Sequence, residues 1–173
     1  MSVLIPKNCK FYNLVCPQND EGEVLLGRKT RGFGEGKLVL PGGKPSDIWW
    51  PIAPVLDVLS YDAARELNEE SGVSLPVHNM GYAGALYVGQ PVERMVTLFR
   101  CAVGHRLPRA SDEVIDWRFY GNVPYNETPE DYELWLPSVL SGKLVIAHLV
   151  GRSNTMMAVG GNANASISPS VRE

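Results

Sequence analysis

Residues 65–73 read Arg65-Glu-Leu-Asn-Glu-Glu-Ser-Gly-Val73, and no other part of the chain says as much about its fold. The composition favours a helix, on which Glu66 lies three positions before Glu69 and four before Glu70. The three carboxylates therefore share one face, where their like charges repel and Arg65 relieves only part of the repulsion. A hard divalent cation such as Mg²⁺ would resolve the conflict, because it takes carboxylate oxygens as ligands. A solvated acidic helix face is the alternative interpretation.

A glycine turn precedes this helix, at Leu40-Pro-Gly-Gly-Lys44. It follows a short predicted strand, and its backbone, without side chains, can approach an ion closely. Positive charge is concentrated around the glycine-rich segment just upstream and suits a polyphosphate; the residues are Arg28, Lys29, Arg31, Lys37 and Lys44. The turn and the glutamates together favour a metal site over a solvated face.

Strand and helix signals extend on both sides of these motifs. Strands are predicted at 10–15, 23–27, 37–40, 82–88, 95–103 and 115–120. Helices are predicted at 59–71 and 129–140, and Gly72 and Gly142 stand where left-handed caps would end them. This order predicts an α/β (α+β) fold with a mixed sheet sandwiched between helices.

The composition predicts one domain, residues 1–150, followed by a tail, residues 151–173. With 45% hydrophobic residues, a chain of 173 residues can bury a sizeable core. From Gly151 onward Asn, Ser, Ala and Gly dominate, which predicts a flexible segment. A docked strand is the alternative.

Charge and hydropathy exclude several classes of function. A formal net charge of −3 argues against binding to a nucleic-acid polymer, which requires a basic excess. No apolar run reaches the roughly 18 to 20 residues that span a bilayer, and the first residues do not resemble a secretory signal. Three cysteines without metal-ligand spacing fit a reduced cytoplasm, so a cytoplasmic location without membrane contact is expected.

The glutamate stretch resembles the Nudix box, G-x5-E-x7-R-E-U-x-E-E-x-G-U with U aliphatic. All the fixed positions of its second half match, from Arg65 to Val73. The first half departs from the pattern, because Asp57 replaces its Glu and 13 residues separate Gly43 from Asp57 where the family has five. An insertion of 8 residues within 45–56 explains the spacing. It contains Trp49-Trp50 and is interpreted as a surface loop or, alternatively, as an aromatic lid or dimer contact.

Further segments resemble the MutT-type Nudix hydrolases of oxidised purine nucleoside triphosphates. They are Leu26-Gly-Arg-Lys-Thr-Arg-Gly-Phe-Gly-Glu-Gly-Lys37, Ser111-Asp-Glu-Val114, the Trp117-Arg-Phe strand and Pro129-Glu-Asp-Tyr-Glu-Leu-Trp-Leu-Pro137. The subgroup pattern carries a Trp-Asn pair where this chain has Leu38-Val39, so an amide that would read a purine edge is missing. The resemblance implies the Nudix fold and hydrolysis of a nucleoside triphosphate, with 8-oxo-dGTP as first choice, to the monophosphate and pyrophosphate.

The resemblance also implies roles for individual residues. Mg²⁺, or alternatively Mn²⁺, would be held by the carbonyl of Gly42 and by the carboxylates of Glu66, Glu69, Glu70 and Glu113. Glu66 would be a ligand or the general base, Glu113 a ligand or the group that positions water, and Arg65 would orient a glutamate. The expected substrate-binding residues are Lys29, Lys44, Phe33, Glu130 and Asp131.

Two alternatives stay open at this point. The chain could hydrolyse another nucleoside diphosphate linked to a group X, such as a dinucleotide or a sugar nucleotide. It could also be a Nudix-fold binding module without turnover, because the insertion interrupts the link between glycine turn and helix. In each case the expected partner is a nucleotide monomer, and the chain is expected to be a monomer or a homodimer.

Overall fold

The structure is a computed structural model, and it describes residues 8–46, 55–151 and 155–162. Its strands are β1 Lys10–Gln18, β2 Val24–Lys29, β3 Leu38–Val39, β4 Gly42–Gly43, β5 Gly81–Val88, β6 Arg94–Ala102, β7 Val114–Tyr120, β8 Lys143–Leu149 and β9 Thr155–Asn162. Its α-helices are α1 Val55–Ser71 and α2 Tyr132–Leu140, with short 3-10 turns at Val77–Asn79 and Tyr125–Glu127. None of the described helices has the length and apolarity needed to cross a membrane.

The strands form one mixed sheet in the order β3-β2-β1-β6-β5-β8-β9, with β4 paired to β1 and β7 paired to β2. The pairs β1–β6 and β5–β8 are parallel and the others are antiparallel. Connections of different lengths explain the mixture, because antiparallel neighbours can follow tight turns while parallel neighbours need crossovers. The α/β prediction is confirmed.

One helix covers each face of the sheet. The helix α1 buries Leu59, Ala63 and Leu67 against Val15 and Phe99 on one face. The helix α2 buries Trp135 and Leu136 on the other face, in a cluster with Cys16, Leu26, Leu86 and Leu98 of the sheet. Alternate residues of a strand point to opposite faces, so neighbours such as Leu98 and Phe99 enter different cores. The helix α1, which carries the glutamates, therefore lies over β1 and β6 on one face of the sheet.

Several predicted boundaries differ from those in the structure. The helix α1 begins four residues early, at Val55. The helix α2 begins at Tyr132, because the segment after Pro129 first forms a turn closed by Tyr132 N–H and Pro129 C=O at 3.1 Å. The strand β1 continues through Pro17 to Gln18.

The position of Pro17 explains why β1 does not stop there. Val15 donates its N–H to Pro41 C=O at 2.9 Å, on the side of β1 away from β6. Pro17 lies two residues further on and faces the same side, so its missing N–H removes no bond from the β1–β6 ladder. Both predicted glycine caps are present, with φ +70° at Gly72 and +87° at Gly142.

The prediction of a flexible tail is wrong for Thr155–Asn162. These residues form β9, an antiparallel neighbour of β8, as in the docked-strand alternative. The paired strand satisfies backbone groups of β8 that would otherwise face outward from the sheet. The composition of this segment did not predict a strand, because pairing between strand backbones accepts almost any side chain.

Candidate functional site

The three carboxylates of α1 lie at different depths. The side chains of Glu66 and Glu70 are 12% and 9% exposed, whereas that of Glu69 is 55% exposed. Glu66 and Glu70 lie one turn apart and point into the space beneath the glycine turn, while Glu69 lies further toward solvent. The sequence stripe is therefore divided between two inner carboxylates and an outer one.

The glycine turn lies against the inner carboxylates. Gly42 donates its N–H to Glu70 Oε2 at 2.9 Å. A Cβ at Gly43 would lie 2.5 Å from the Glu66 carboxyl carbon, so only glycine leaves room for that side chain. The predicted metal-binding carbonyl of Gly42 stays a prediction, since the contact found there is made by its amide.

Lys29 connects α1 with the segment before β7. Its Nζ lies 3.2 Å from Glu70 Oε1 and 3.0 Å from Glu113 Oε2. Arg31 adds a second cation, 3.1 Å from Glu113 Oε1. The pairing of Lys29 with Val114 in the β2–β7 ladder places Glu113 opposite the end of β2. The sheet thus brings together two predicted site residues that are 84 positions apart in the chain.

Arg65 holds the outer side of the same cluster. It donates to Glu66 Oε1 and Glu69 Oε2, both at 2.6 Å, and to the C=O of Lys44 at 3.3 Å. Asp62, fully buried, lies 3.4 Å from the Arg65 Nε and accepts from the N–H and hydroxyl of Ser46. Arg65 therefore orients two glutamates and ties α1 to the chain that follows the glycine turn.

The surroundings shift the pKa values of the site carboxylates in opposite directions. Burial raises the pKa of Glu70, against the lowering effects of the Gly42 amide and Lys29. Burial likewise raises the pKa of Glu66, against the opposing effect of Arg65. Hydrogen bonds from Lys29 and Arg31 lower the pKa of the more exposed Glu113. The inner carboxylates are thus the ones that most need a cation in order to ionise.

The loop that follows Lys29 carries an exposed aromatic ring. Phe33, at the tip of the loop between β2 and β3, is 82% exposed. The guanidinium carbon of Arg94 lies 5.2 Å from the centroid of this ring. Lys37 Nζ binds the C=O of Thr128 at 3.3 Å, which places the loop beside the segment that leads into α2.

The acidic pair before α2 occupies this neighbouring segment. Asp131 is the N-cap residue of α2, and its Oδ2 accepts from Trp135 Nε1 at 2.9 Å. Glu130 is exposed immediately before it. The predicted site residues therefore include a charged cluster around Glu66, Glu70 and Glu113, whereas Phe33 lies at the loop tip and Glu130 and Asp131 lie before α2.

Comparisons with known proteins identify the family of the chain. The NUDIX domain family matches residues 13–140, which is most of the chain. The chain belongs to the Nudix family. It is 31% identical over 141 residues to the oxidized purine nucleoside triphosphate hydrolase of Mus musculus, covering 80% of this chain and 85% of that protein.

Solved structures support the same fold. A NUDIX hydrolase from Nitrosomonas europaea superimposes with a TM-score of 0.64 at 18% identity, covering 84% of this chain and 80% of that one. A bifunctional NMN adenylyltransferase/ADP ribose pyrophosphatase from Francisella tularensis, complexed with AMP and a Mn ion, gives 0.58 at 13% identity, over 81% of this chain and 43% of that one. The predictions of the family, the Nudix fold and a Nudix hydrolase are confirmed.

Nudix hydrolases use a divalent metal, and the cluster offers the oxygen ligands that such a metal takes. Within the described residues, no three His, Cys, Asp or Glu side chains are gathered closely enough to hold an ion as they stand. However, the Lys29 ammonium already shares two carboxylates from different elements, at 3.2 and 3.0 Å. The donor type therefore suits a hard cation, and the residues that would hold it are the predicted set of Gly42, Glu66, Glu69, Glu70 and Glu113.

Sequence reasoning missed three residues that the structure places at the site. Asp62 was detectable as a carboxylate three positions before Arg65 on the same helix. Arg94 carried no signal, because its contact with Phe33 crosses 61 positions of sequence. Trp117 was noted only as part of a family pattern, yet its Nε1 donates to the C=O of Glu70 at 3.0 Å. Trp49 and Trp50 of the insertion lie outside the described residues.

Proposed function

We propose that this Nudix hydrolase cleaves nucleoside triphosphates with an oxidised purine base, with 8-oxo-dGTP as first choice, and uses Mg²⁺. The observation that carries the proposal is the Lys29 bridge between Glu70 and Glu113, at 3.2 and 3.0 Å, directly before the loop that carries the exposed ring of Phe33. Phe33 lies four positions after Lys29, a reach of at most about 14 Å that suits a nucleotide lying along the loop. The relative in Mus musculus supports the choice of substrate through its name.

The reaction would cleave one phosphoanhydride bond with one water. The water oxygen bonds to phosphorus, the bridging P–O bond breaks, and the products are the monophosphate and pyrophosphate. A bound divalent ion would neutralise phosphate charge and make water more acidic. Glu66 would take the proton of the water, Glu113 would orient that water, and Arg65 would keep Glu66 in place through its contact at 2.6 Å. Lys29 and Lys44 would bind phosphate oxygens.

The base would lie at the loop tip. Phe33 offers a ring for stacking, and Glu130 and Asp131 offer carboxyl groups for the polar edge of a purine. We further propose that the protein acts in the cytoplasm, because Cys9, Cys16 and Cys101 are all free and buried, as a reducing compartment allows. Its partner there would be the nucleotide monomer, bound by a monomer or a homodimer of the chain.

A second candidate is hydrolysis of a nucleoside diphosphate linked to another group. It is favoured by the burial of Leu38 and Val39, which are 1% and 9% exposed and put apolar side chains where an amide would read the base. One assay separates the two candidates: incubation with Mg²⁺ and a panel of normal and oxidised triphosphates, dinucleotides and sugar nucleotides, followed by product analysis. Pyrophosphate release fastest from oxidised purine triphosphates is expected. Turnover of only the linked diphosphates would establish the alternative.

Replacement of Glu70 tests turnover against simple binding. We expect Glu70→Gln to lower kcat at least about 10²-fold, as loss of a carboxylate that acts on the reacting water or its activating ion should. The variant keeps the shape of the side chain, and a near-native unfolding midpoint is the control. Wild-type protein that binds these nucleotides without releasing any product would instead be a binding module.

A further inference from the structure

Trp117 makes a contact that ordinary core packing does not require. Its Nε1 donates to the C=O of Glu70 at 3.0 Å. Glu70 is the second-last residue of α1, so its C=O is among the terminal carbonyls that have no partner inside the helix. The indole thus holds the last turn of the helix at the residue whose side chain faces Lys29 and Gly42.

Gly27 makes room for this indole. A Cβ at Gly27 would lie 2.6 Å from Trp117 Cε3 and 2.4 Å from Val114 Cγ1, so only a glycine lets the ring lie across β2. In the β2–β7 ladder Leu26 pairs with Arg118, whereas Arg28 pairs with Ile115. Asp116 and Trp117 therefore both oppose Gly27, a β-bulge in which Asp116 has a φ of +52°. Trp117 thus lies between Gly27 and the last turn of α1.

We propose that Trp117 is a positioning residue, which fixes Glu70 relative to Lys29 and Glu113 through the C=O of Glu70. The strand β7 begins directly after Glu113 and carries Trp117 three residues further along, so one strand sets the place of both carboxylates. The ring has few rotamers and is clamped over Gly27, which makes it a stiff spacer between β2 and α1. This inference rests on the proposed function only for the expected change in kcat; the contact itself does not depend on it.

The first test replaces the donor but keeps an aromatic ring. We expect Trp117→Phe to lower kcat on the order of 10-fold, as loss of a partner that orients a metal ligand does, with KM for the nucleotide little changed. In a Glu70→Gln background the same substitution should have almost no further effect, because the group it positions is gone. Equal effects in both backgrounds would show that Trp117 only supports the fold, and would overturn the proposal.

A second readout does not depend on turnover. Mn²⁺ binding, measured by electron paramagnetic resonance, should weaken about 10-fold in Trp117→Phe. Trp135→Phe is the matched control, since it also removes one indole donor, here to Asp131 at 2.9 Å, and should leave Mn²⁺ binding unchanged. Gly27→Ala, which displaces the ring without altering it, should reproduce the weakening. Unchanged Mn²⁺ binding in both Trp117→Phe and Gly27→Ala would overturn the proposal even if the wild type hydrolyses no nucleotide, so the two failures are distinguishable.

Discussion

At the scale of single residues, the site is a set of carboxylates, two of them largely buried, that are compensated by cations from different parts of the chain. Arg65 reaches Glu69 within α1, as the four-residue spacing predicted, and it also reaches the adjacent Glu66. Lys29 reaches Glu70 and Glu113 from β2. Buried carboxylates are costly unless they are paired and hydrogen-bonded, so these contacts decide whether the cluster can stay ionised.

The fit between Gly43 and Glu66 gives a sharp prediction. We expect Gly43→Ala to reduce kcat by on the order of 10- to 10²-fold, because the new Cβ would lie 2.5 Å from the Glu66 carboxyl carbon and displace it. Steady-state kinetics would measure this. Gly81→Ala is the control, since its nearest neighbour would be 3.5 Å away, an ordinary contact. Equal activity of Gly43→Ala and the wild type would show that Glu66 needs no fixed position.

The inner glutamates should make stability fall as pH rises. The pKa of Glu70 is raised by burial, so the folded state keeps a proton that the unfolded state has already lost. The resulting stabilisation is complete below the ordinary carboxyl pKa and disappears as pH rises through the raised value. Glu113, with its lowered pKa, acts oppositely and at lower pH, losing its contribution as pH falls through that value.

The comparison of wild type with Glu70→Gln isolates this effect. Urea unfolding without divalent ions, from about pH 4 to pH 7, should show the variant gaining stability relative to the wild type as pH rises. Other titrating groups are common to both proteins and cancel in the difference. If the variant instead lost stability relative to the wild type as pH rises, the lowering effects of Lys29 and Gly42, and not burial, would dominate the pKa of Glu70.

At the scale of elements, the β2–β7 pair is the part that departs most from a regular sheet. The strand predicted at 115–120 is present, and β7 adds only Val114 to it. Its bulge was not predicted, because a left-handed Asp in mid-strand has no sequence signal comparable to glycine. Because of the extra residue, Val114 and Trp117, three positions apart, both lie against the position of a Gly27 Cβ, whereas a regular strand would place them on opposite faces.

The conformation of Asp116 can be tested by substitution. We expect Asp116→Val to lower the free energy of unfolding by about 1–2 kcal/mol, because a β-branched side chain tolerates a positive φ poorly. Asp116→Gly should be neutral or slightly stabilising at the same position. Chemical denaturation of both variants provides the measurement. A Val variant as stable as the Gly variant would show that residue 116 does not hold the φ of +52°.

At the scale of the whole molecule, the site lies on the half of the sheet away from β9. Five steps separate β2 from β9 in the strand order, roughly 24 Å at the usual spacing. The charged cluster is built on β2, β4, α1 and the start of β7. We therefore expect the C-terminal strand to contribute to the fold and not to the chemistry.

Removal of β9 should separate stability from activity. A chain ending at Gly151 should lose on the order of 3 kcal/mol of stability, from roughly 0.5–1.5 kcal/mol for each lost ladder hydrogen bond, and should aggregate more readily through the exposed edge of β8. Its kcat per folded molecule should equal that of the full chain. Thermal unfolding and active-site-normalised kinetics would check both. A large loss of kcat at unchanged stability would mean that β9 reaches the site.

The sequence by itself determined the local chemistry of this protein. The stripe of Glu66, Glu69 and Glu70, its Arg65 partner and the glycine cap at Gly72 all lie within one or two helical turns, where fixed spacing gives fixed geometry. Only the tertiary structure decided which distant groups meet that helix. Lys29 and Trp117 reach Glu70 across 41 and 47 positions. Such contacts depend on strand order, register and a bulge, which no local pattern specifies.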